Sequence, residues 1–189
     1  MPANQVRIIA GRHRGRRLHF VPGRGLRPTP DRVRETLFNW LQGDIRGARC
    51  LDLFAGSGAL GLEALSRGAS FLLAVEQNRT AVQRLRENIA LLHEEASAAV
   101  IQADALRLLK VPPEAPFDIV FLDPPFAAGL LPEACRLLEQ NHWLKPAAIV
   151  YLEQDAGHDW PTLPATWALH REGVAGQSAH RLLRRNILG

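Results

Sequence analysis

Lysine is nearly missing from this chain: only Lys110 and Lys145 stand among 23 basic residues, and arginine supplies the rest. Guanidinium forks onto phosphate and stacks on planar bases, whereas ammonium is a hydrated point charge, so the bias suits a polyanionic partner; a GC-rich genome accounts for it as readily. Cysteine is equally scarce. Cys50 and Cys135 lie in apolar runs, without the spacing of a disulfide framework or a metal set, which excludes the small secreted scaffolds and fits a reducing compartment. No apolar run approaches a membrane span, and the arginine-rich start has no apolar signal segment. A cytoplasmic protein without membrane attachment is expected. Seven histidines occur, none paired with acids or cysteines at ligand spacing, so no metal is expected. Internal repeats and low-complexity stretches are also lacking, and 189 residues suit one α/β domain with a small appendage, read here as a monomer.

The net charge of +4 conceals an asymmetry. Residues 1–34 hold nine arginines (Arg7, Arg12, Arg14, Arg16, Arg17, Arg24, Arg27, Arg32 and Arg34) against the single acid Asp31, while 35–189 carry 14 basic and 18 acidic residues. The basicity belongs to one end. There, Val6 to Ala10 and Leu18 to Val21 read as short strands around a glycine-bounded basic turn, Gly11 to Arg17, whose tip is expected to project arginines into solvent. Residues 1–26 are therefore read as a basic β-hairpin extension and 27–189 as the main domain. Thr29-Pro30-Asp31 supplies an N-cap, a first-position proline and a first-turn acid, and Val33, Leu37, Trp40 and Leu41 follow at helical spacing to about Gly43.

From Cys50 onward, apolar runs at 50–54, 71–75, 98–102, 117–122 and 147–152 alternate with helical stretches at 59–67, 79–92 and 130–140. That order implies parallel strands joined by crossover helices. Thr166 to His170 and His180 to Arg185 leave no room for a helix, so a closing antiparallel hairpin with Gly173 and Gly176 in its turn is expected. The result is a seven-stranded, mostly parallel, Rossmann-like sheet with helices on both faces.

The first run ends in Asp52-Leu53-Phe54-Ala55-Gly56-Ser57-Gly58-Ala59-Leu60-Gly61, a strand entering a glycine turn that opens a helix. Glu76, followed by Gln77, ends the next strand at the distance where an acid takes the ribose hydroxyls of a dinucleotide. Asp52 argues against a dinucleotide, because a carboxylate just before the glycines repels a pyrophosphate. A sulfonium and an α-ammonium reverse that sign, so the pattern suits S-adenosylmethionine. Asp104, ahead of Ala105, is equally readable as a helix N-cap. Together with Asp52 and Glu76 it places acids at the ends of three successive strands, where ligands bind open parallel sheets. The expected division is Asp52 toward the methionyl end, Glu76 on the ribose and Asp104 on the adenine amine. Phe54, Gly56, Ser57, Gly58, Gln77 and Ala105 complete the expected cofactor wall. Ser57 lies between glycines with no histidine-acid pair to activate it, so small size explains it better than nucleophilicity.

Asp123-Pro124-Pro125-Phe126 ends the apolar run 117–122. An exocyclic base amine is a poor nucleophile because its lone pair is delocalised into the ring, so geometry must do most of the catalysis. The Asp123 carboxylate and the Pro124 carbonyl can accept both amine hydrogens, consecutive prolines stiffen the corner, and Phe126 can stack on the base. Asp123, Pro124 and Phe126 are the expected catalytic residues, with Asp123 also facing the cofactor.

These residues resemble the class I S-adenosylmethionine-dependent methyltransferases that carry a [DNS]-P-P-[FY] signature. More narrowly, Arg7-Ile8-Ile9-Ala10-Gly11, Leu26 to Glu35, both ligand motifs and Ala175-Gly176-Gln177 resemble the RsmD family over nearly the whole chain, with Pro30 where the family more often has threonine. The resemblance implies methylation of guanine N2 in 16S ribosomal RNA, on the small subunit or its assembling precursor. On that reading Arg7, Arg12, Arg14, Arg16, Arg17, Arg24, Arg27 and Arg32 contact RNA phosphates while one base leaves its stack. Thr29 and Arg34 are candidates to hold the methionyl carboxylate at a helix N-terminus. The competing readings are a DNA adenine N6 methyltransferase, a protein-glutamine methyltransferase and a non-catalytic RNA-binding assembly factor.

Overall fold

The computed structural model describes residues 4–23, 28–125 and 129–186. Its first elements are β1 (Gln5–Arg7) and β2 (Arg17–His19), an antiparallel pair with Val6 opposite Leu18. These strands are shorter than Val6 to Ala10 and Leu18 to Val21. The N–H groups of Ile9 and Ala10 leave the ladder to donate to the Glu63 carboxylate at 3.1 and 3.3 Å, so the chain turns away from its partner. Helix α1 (Asp31–Trp40) buries Val33, Arg34, Leu37 and Phe38. Pro30, not Thr29, occupies its cap position, and no side chain caps it. The Thr29 hydroxyl is turned instead toward two acids of the sheet.

The remaining elements alternate: β3 (Arg49–Asp52), α2 (Ala59–Ser66), β4 (Phe71–Glu76), α3 (Arg79–Leu91), β5 (Ala98–Gln102), α4 (Ala105–Leu109), β6 (Phe117–Leu122), α5 (Leu131–Gln140), β7 (Leu144–Asp155), β8 (Trp167–Ala175) and β9 (Ser178–Arg185). The last seven strands form one sheet in the order β5-β4-β3-β6-β7-β9-β8. Strands β5 to β7 in that order are parallel, and β9 runs antiparallel to both neighbours. The closing hairpin is tighter than expected. Gly173 lies inside β8, where a Cβ would come within 2.8 Å of the His180 ring, so only the Ala175 to Ser178 corner turns.

Strand side chains alternate between faces, and the sheet therefore has two cores. Cys50, Ile119, Phe121, Ile149 and Tyr151 join α1, α2, α3 and the hairpin on one face, while Leu51, Val120, Leu122, Val150 and Leu152 join α4 and α5 on the other. The strand order reverses between β3 and β6, and that switch point opens a crevice beyond the carboxyl ends of the strands.

The hairpin is fastened to the domain by polar groups. Ser66 Oγ accepts from His13 N at 3.0 Å and donates to Ala10 O at 2.6 Å, and Arg12 N donates to Ser66 O at 2.9 Å. Asn88 on α3 accepts from His19 N and donates to His19 O, mimicking a neighbouring strand. Glu94 receives Arg12, His13 and Ser97. The turn therefore does not send all its arginines outward: Arg12 pairs with Glu94 and Arg16 donates to Leu91 O at 3.0 Å, while Arg14 and Arg17 are exposed. Gly11 makes this docking possible, with φ at +86° and a position where a Cβ would lie 1.9 Å from Ser66 O. Gly11→Ala adds left-handed strain and severs contacts across the joint. It is expected to lower stability by more than about 2 kcal/mol in urea unfolding; an unchanged midpoint would contradict this docking.

Candidate active site

Five acids, Asp52, Glu76, Asp104, Asp123 and Glu153, converge on the crevice from five strands. Asp52, at the end of β3, is buried, and its Oδ2 accepts the Gly61 N–H at 3.1 Å from the first turn of α2. Burial pushes its carboxyl up to about 7; the Gly61 hydrogen bond opposes the rise and the charge of Glu76 adds to it. The glycines let the loop pack this closely. Gly58 sits at φ +80°, where a Cβ would meet Leu85 at 2.5 Å, and a Cβ on Gly61 would meet Leu72 at 2.7 Å. Ser57 Oγ accepts from Ala59 N at 3.3 Å, a local turn contact. Glu76, ending β4, holds the loop from the other side: Oε2 accepts Gly56 N–H at 2.8 Å and Oε1 accepts Asn78 N–H at 3.0 Å. Asp104 follows β5 and caps α4, accepting from Arg107 N at 3.0 Å.

Asp123 follows β6. Its carboxyl is raised well above the ordinary range, first by burial and then by the neighbouring Glu153 and Asp52. Sequence reasoning missed Glu153, which is 4% exposed on β7. Glu153 Oε2 accepts from Tyr151 OH at 3.0 Å and from Thr29 Oγ1 at 3.5 Å, and Oε1 accepts from Ser178 Oγ at 2.7 Å. Thr29 Oγ1 also reaches Asp123 Oδ2 at 3.3 Å. A signal for Glu153 existed. It follows the apolar run 147–152 as Glu76 follows 71–75, Asp104 comes after 98–102 and Asp123 follows 117–122.

Two adjoining cavities make the crevice and share Phe54, Gly56 and Asp123 in their walls. One, of about 440 Å³, lies between the glycine loop, Thr29, Pro124, Glu153 and the Gln177–Ser178 corner. The other, of about 640 Å³, is lined by Glu76, Gln77, Asp104, Ala105 and Pro125. Of the expected cofactor residues, all but Gly58 and Arg34 line one of the two cavities, and Gly58 sits in the same glycine loop, its N–H donating to Ala55 O at 2.8 Å. Arg34 is 1% exposed and spends its guanidinium inside the protein, on Thr29 O at 3.2 Å, Arg7 O at 3.0 Å and Asp31 at 2.6 Å. Any anion contact would require these bonds to open. Arg7, Arg12, Arg14, Arg16, Arg17 and Arg32 are exposed, and Arg24, Arg27 and Phe126 lie outside the described residues. Among the described residues, no group of three or more histidines, cysteines or acids is arranged to hold a metal ion, and no helix is long and apolar enough to cross a membrane.

The sheet order and the acid-lined crevice at its switch point define a class I methyltransferase fold. A Thermus thermophilus 16S rRNA N2 guanine methyltransferase, solved with S-adenosylmethionine and guanosine, shares that fold at a TM-score of 0.68, with 22% identity over 96% of this chain and 49% of its own. Residues 6–184 match the family described as conserved hypothetical protein 95. Ribosomal RNA small subunit methyltransferase D of Escherichia coli K12 is 51% identical over 99% of this chain and 93% of its own length. The solved structure of the Escherichia coli protein yhhF superimposes at a TM-score of 0.90, with 51% identity over 97% of this chain and 99% of that one. The chain belongs to the ribosomal RNA small subunit methyltransferase D family.

The raised Asp52 carboxyl has a consequence for stability. The group binds its proton more tightly folded than unfolded, where its ordinary value is 3.8. Its contribution is fully present below about pH 4 and is lost as pH rises through about 7, a span worth on the order of 4 kcal/mol. Asp52→Asn removes this titration. The variant is expected to gain on wild type between pH 5 and 7 and to run parallel above about 7.5 in urea unfolding; parallel curves throughout would contradict the burial of an ionisable Asp52.

Proposed function

We infer that this chain transfers a methyl group from S-adenosylmethionine to the exocyclic N2 amine of a guanine in 16S ribosomal RNA. The observation that carries the reading is the convergence of Asp52, Asp123 and Glu153 on one crevice with no described Arg or Lys paired to any of them. Buried acid without a counter-cation favours a cationic ligand and disfavours a pyrophosphate. The name and the near full-length identity of the Escherichia coli relative support the RNA substrate.

The residues fit the donor. Asp52, Asp123 and Glu153 favour the sulfonium and ammonium end, the close-packed glycine turn admits the nucleoside, and Glu76 and Asp104 border the second cavity as acceptors for ribose hydroxyls and the adenine amine. When bound, S-adenosylmethionine supplies a methyl group on a sulfonium whose positive charge vanishes on transfer. Asp123 and the Pro124 carbonyl accept the two amine hydrogens of the guanine and turn the nitrogen lone pair toward the methyl carbon. Phe126 stacks on the base. With that donor bound, no residue would need to deprotonate the nitrogen beforehand, and Asp123 would stand ready to take its proton afterwards. Arg34 acts at one remove, fixing the carbonyl of Thr29 so that its hydroxyl meets Asp123.

The exposed arginines of the hairpin and α1 contact phosphates of the RNA and position it, while the pocket takes one base out of its stack. The partner is the small ribosomal subunit or its assembling precursor, the protein works as a monomer, and its compartment is the cytoplasm. Mass mapping of ribosomal RNA from cells with and without this gene tests the assignment. A guanine N2 mark restored by wild type and reduced about 10²-fold or more by Asp123→Ala is expected; an unchanged methylation map would overturn the reading. The Arg14→Ala, Arg17→Ala double variant is expected to weaken RNA binding and lower the salt slope of log K by about 2, with donor affinity unchanged. An unaltered slope would remove the hairpin from the RNA interface.

A further inference from the structure

Asp123 and Glu153 meet at a single hydroxyl. Thr29 Oγ1 lies 3.3 Å from Asp123 Oδ2 and 3.5 Å from Glu153 Oε2, and one hydrogen cannot serve both. Glu153 has further donors on either side, Tyr151 OH at 3.0 Å and Ser178 Oγ at 2.7 Å, which satisfy a carboxylate. Asp123 has no other donor among the described side-chain contacts, and it faces both cavities.

We propose that Asp123 and Glu153 work as one carboxyl pair, holding a shared proton in the free protein, releasing it when the cationic donor binds and recovering one from the methylated amine. Asp123 touches the reacting nitrogen and carries the proton. Glu153 is the positioning residue, hydrogen-bonded on both oxygens and acting through its neighbour.

Among the described residues the surroundings offer no alternative countercharge. Asp52 approaches from β3 as a third acid, itself near Glu76. From β9, His180 stands opposite Glu153 in the register with its Nδ1 unpartnered, and burial holds its ring below the ordinary histidine range, so it stays neutral at pH 7. The Tyr151 hydroxyl is held protonated by burial and by both acids. Arg34, from α1, comes as near as the Thr29 backbone but is engaged with Asp31 and the carbonyls of Thr29 and Arg7. Two carboxyls placed together without a cation cannot both ionise cheaply, and the raised proton affinity of Asp123 agrees with one retained proton.

The proton balance closes over one turnover. Binding of the donor's positive charge expels the shared proton to solvent. The amine nitrogen then forms its bond to the methyl carbon, the C–S electron pair stays on sulfur, and the nitrogen becomes cationic. One N–H proton passes to Asp123, leaving neutral N-methylguanine, a neutral thioether and the pair in its starting state.

This inference rests on the methyltransfer reading, and calorimetry separates the two. Wild-type protein is titrated with S-adenosylmethionine at pH 7 in two buffers of different ionisation enthalpy. About one proton released per donor bound is expected, with affinity tightening as pH rises from 6 to 8. Glu153→Gln is expected to release less than half as much and to bind with a flatter pH dependence, while Glu153→Asp retains the wild-type behaviour. S-Adenosylhomocysteine, which lacks the sulfonium charge, is expected to release little from either protein. Equal proton release by wild type and Glu153→Gln would overturn the pair, whereas absence of any donor heat from wild type would overturn the methyltransfer reading itself. Should Glu153→Gln fail to fold, carbon-13 carboxyl shifts of the free wild-type protein decide: coupled titration of Asp123 with Glu153 supports the pair, and two independent steps at ordinary carboxylate values overturn it.

Discussion

The molecule depends on keeping several carboxyl groups close together, and partly dry, at the point where the order of a parallel sheet reverses. Charge of one sign gathered in a low-dielectric crevice is costly, and the cost appears in the raised proton affinities of Asp52 and Asp123. Among the described residues the fold offsets it with hydrogen-bond donors instead of cations: backbone N–H groups of Gly61, Gly56 and Asn78, and the hydroxyls of Thr29, Tyr151 and Ser178. Donors of this kind hold the acids in place without neutralising them. A positively charged ligand is therefore attracted, and the attraction is lost once that ligand becomes neutral, which favours release of the spent donor.

The basic N-terminal segment and the acidic crevice are mechanically joined. Arg34 ties the carbonyl of Arg7 in the hairpin to that of Thr29 just ahead of α1, and the Thr29 hydroxyl touches the acids. Glu63, Ser66 and Glu94 fasten the rest of the hairpin to α2 and its surroundings. A polyanion bound to Arg14 and Arg17 is thus held on a body packed rigidly against the sheet. The fixed attachment suits an enzyme that must position a large RNA while one base enters a small pocket.

Much of this was legible in local patterns. The alternating runs located all five parallel strands, because the central strands are buried on both faces and read as continuous apolar sequence, and the half-exposed edge strand β5 is still largely apolar. Asp52, Glu76 and Asp104 were recognisable by a positional rule, since strand ends in open parallel sheets face the ligand. Glu153 obeys the same rule and was missed because the rule was applied to the first four runs and not to the fifth, 147–152. Thr29 was misread for a different reason: Thr-Pro-Asp is a sound helix start, but the hydroxyl finds better partners across 94 and 124 residues of sequence than in its own helix. Arg34, counted among the basic residues, is a buried internal tie.

The sequence by itself determined the class of fold, the donor chemistry and the position of the Asp-Pro-Pro-Phe corner after its strand, because each is written in contiguous residues whose spacing has a physical period or a fixed turn geometry. The tertiary structure alone decided which hydroxyls serve which acids, that Glu153 stands beside Asp123, and that the arginine-rich hairpin is clamped to the domain. Those relations join residues tens of positions apart, and only the packing of the sheet against its helices brings them within hydrogen-bond reach.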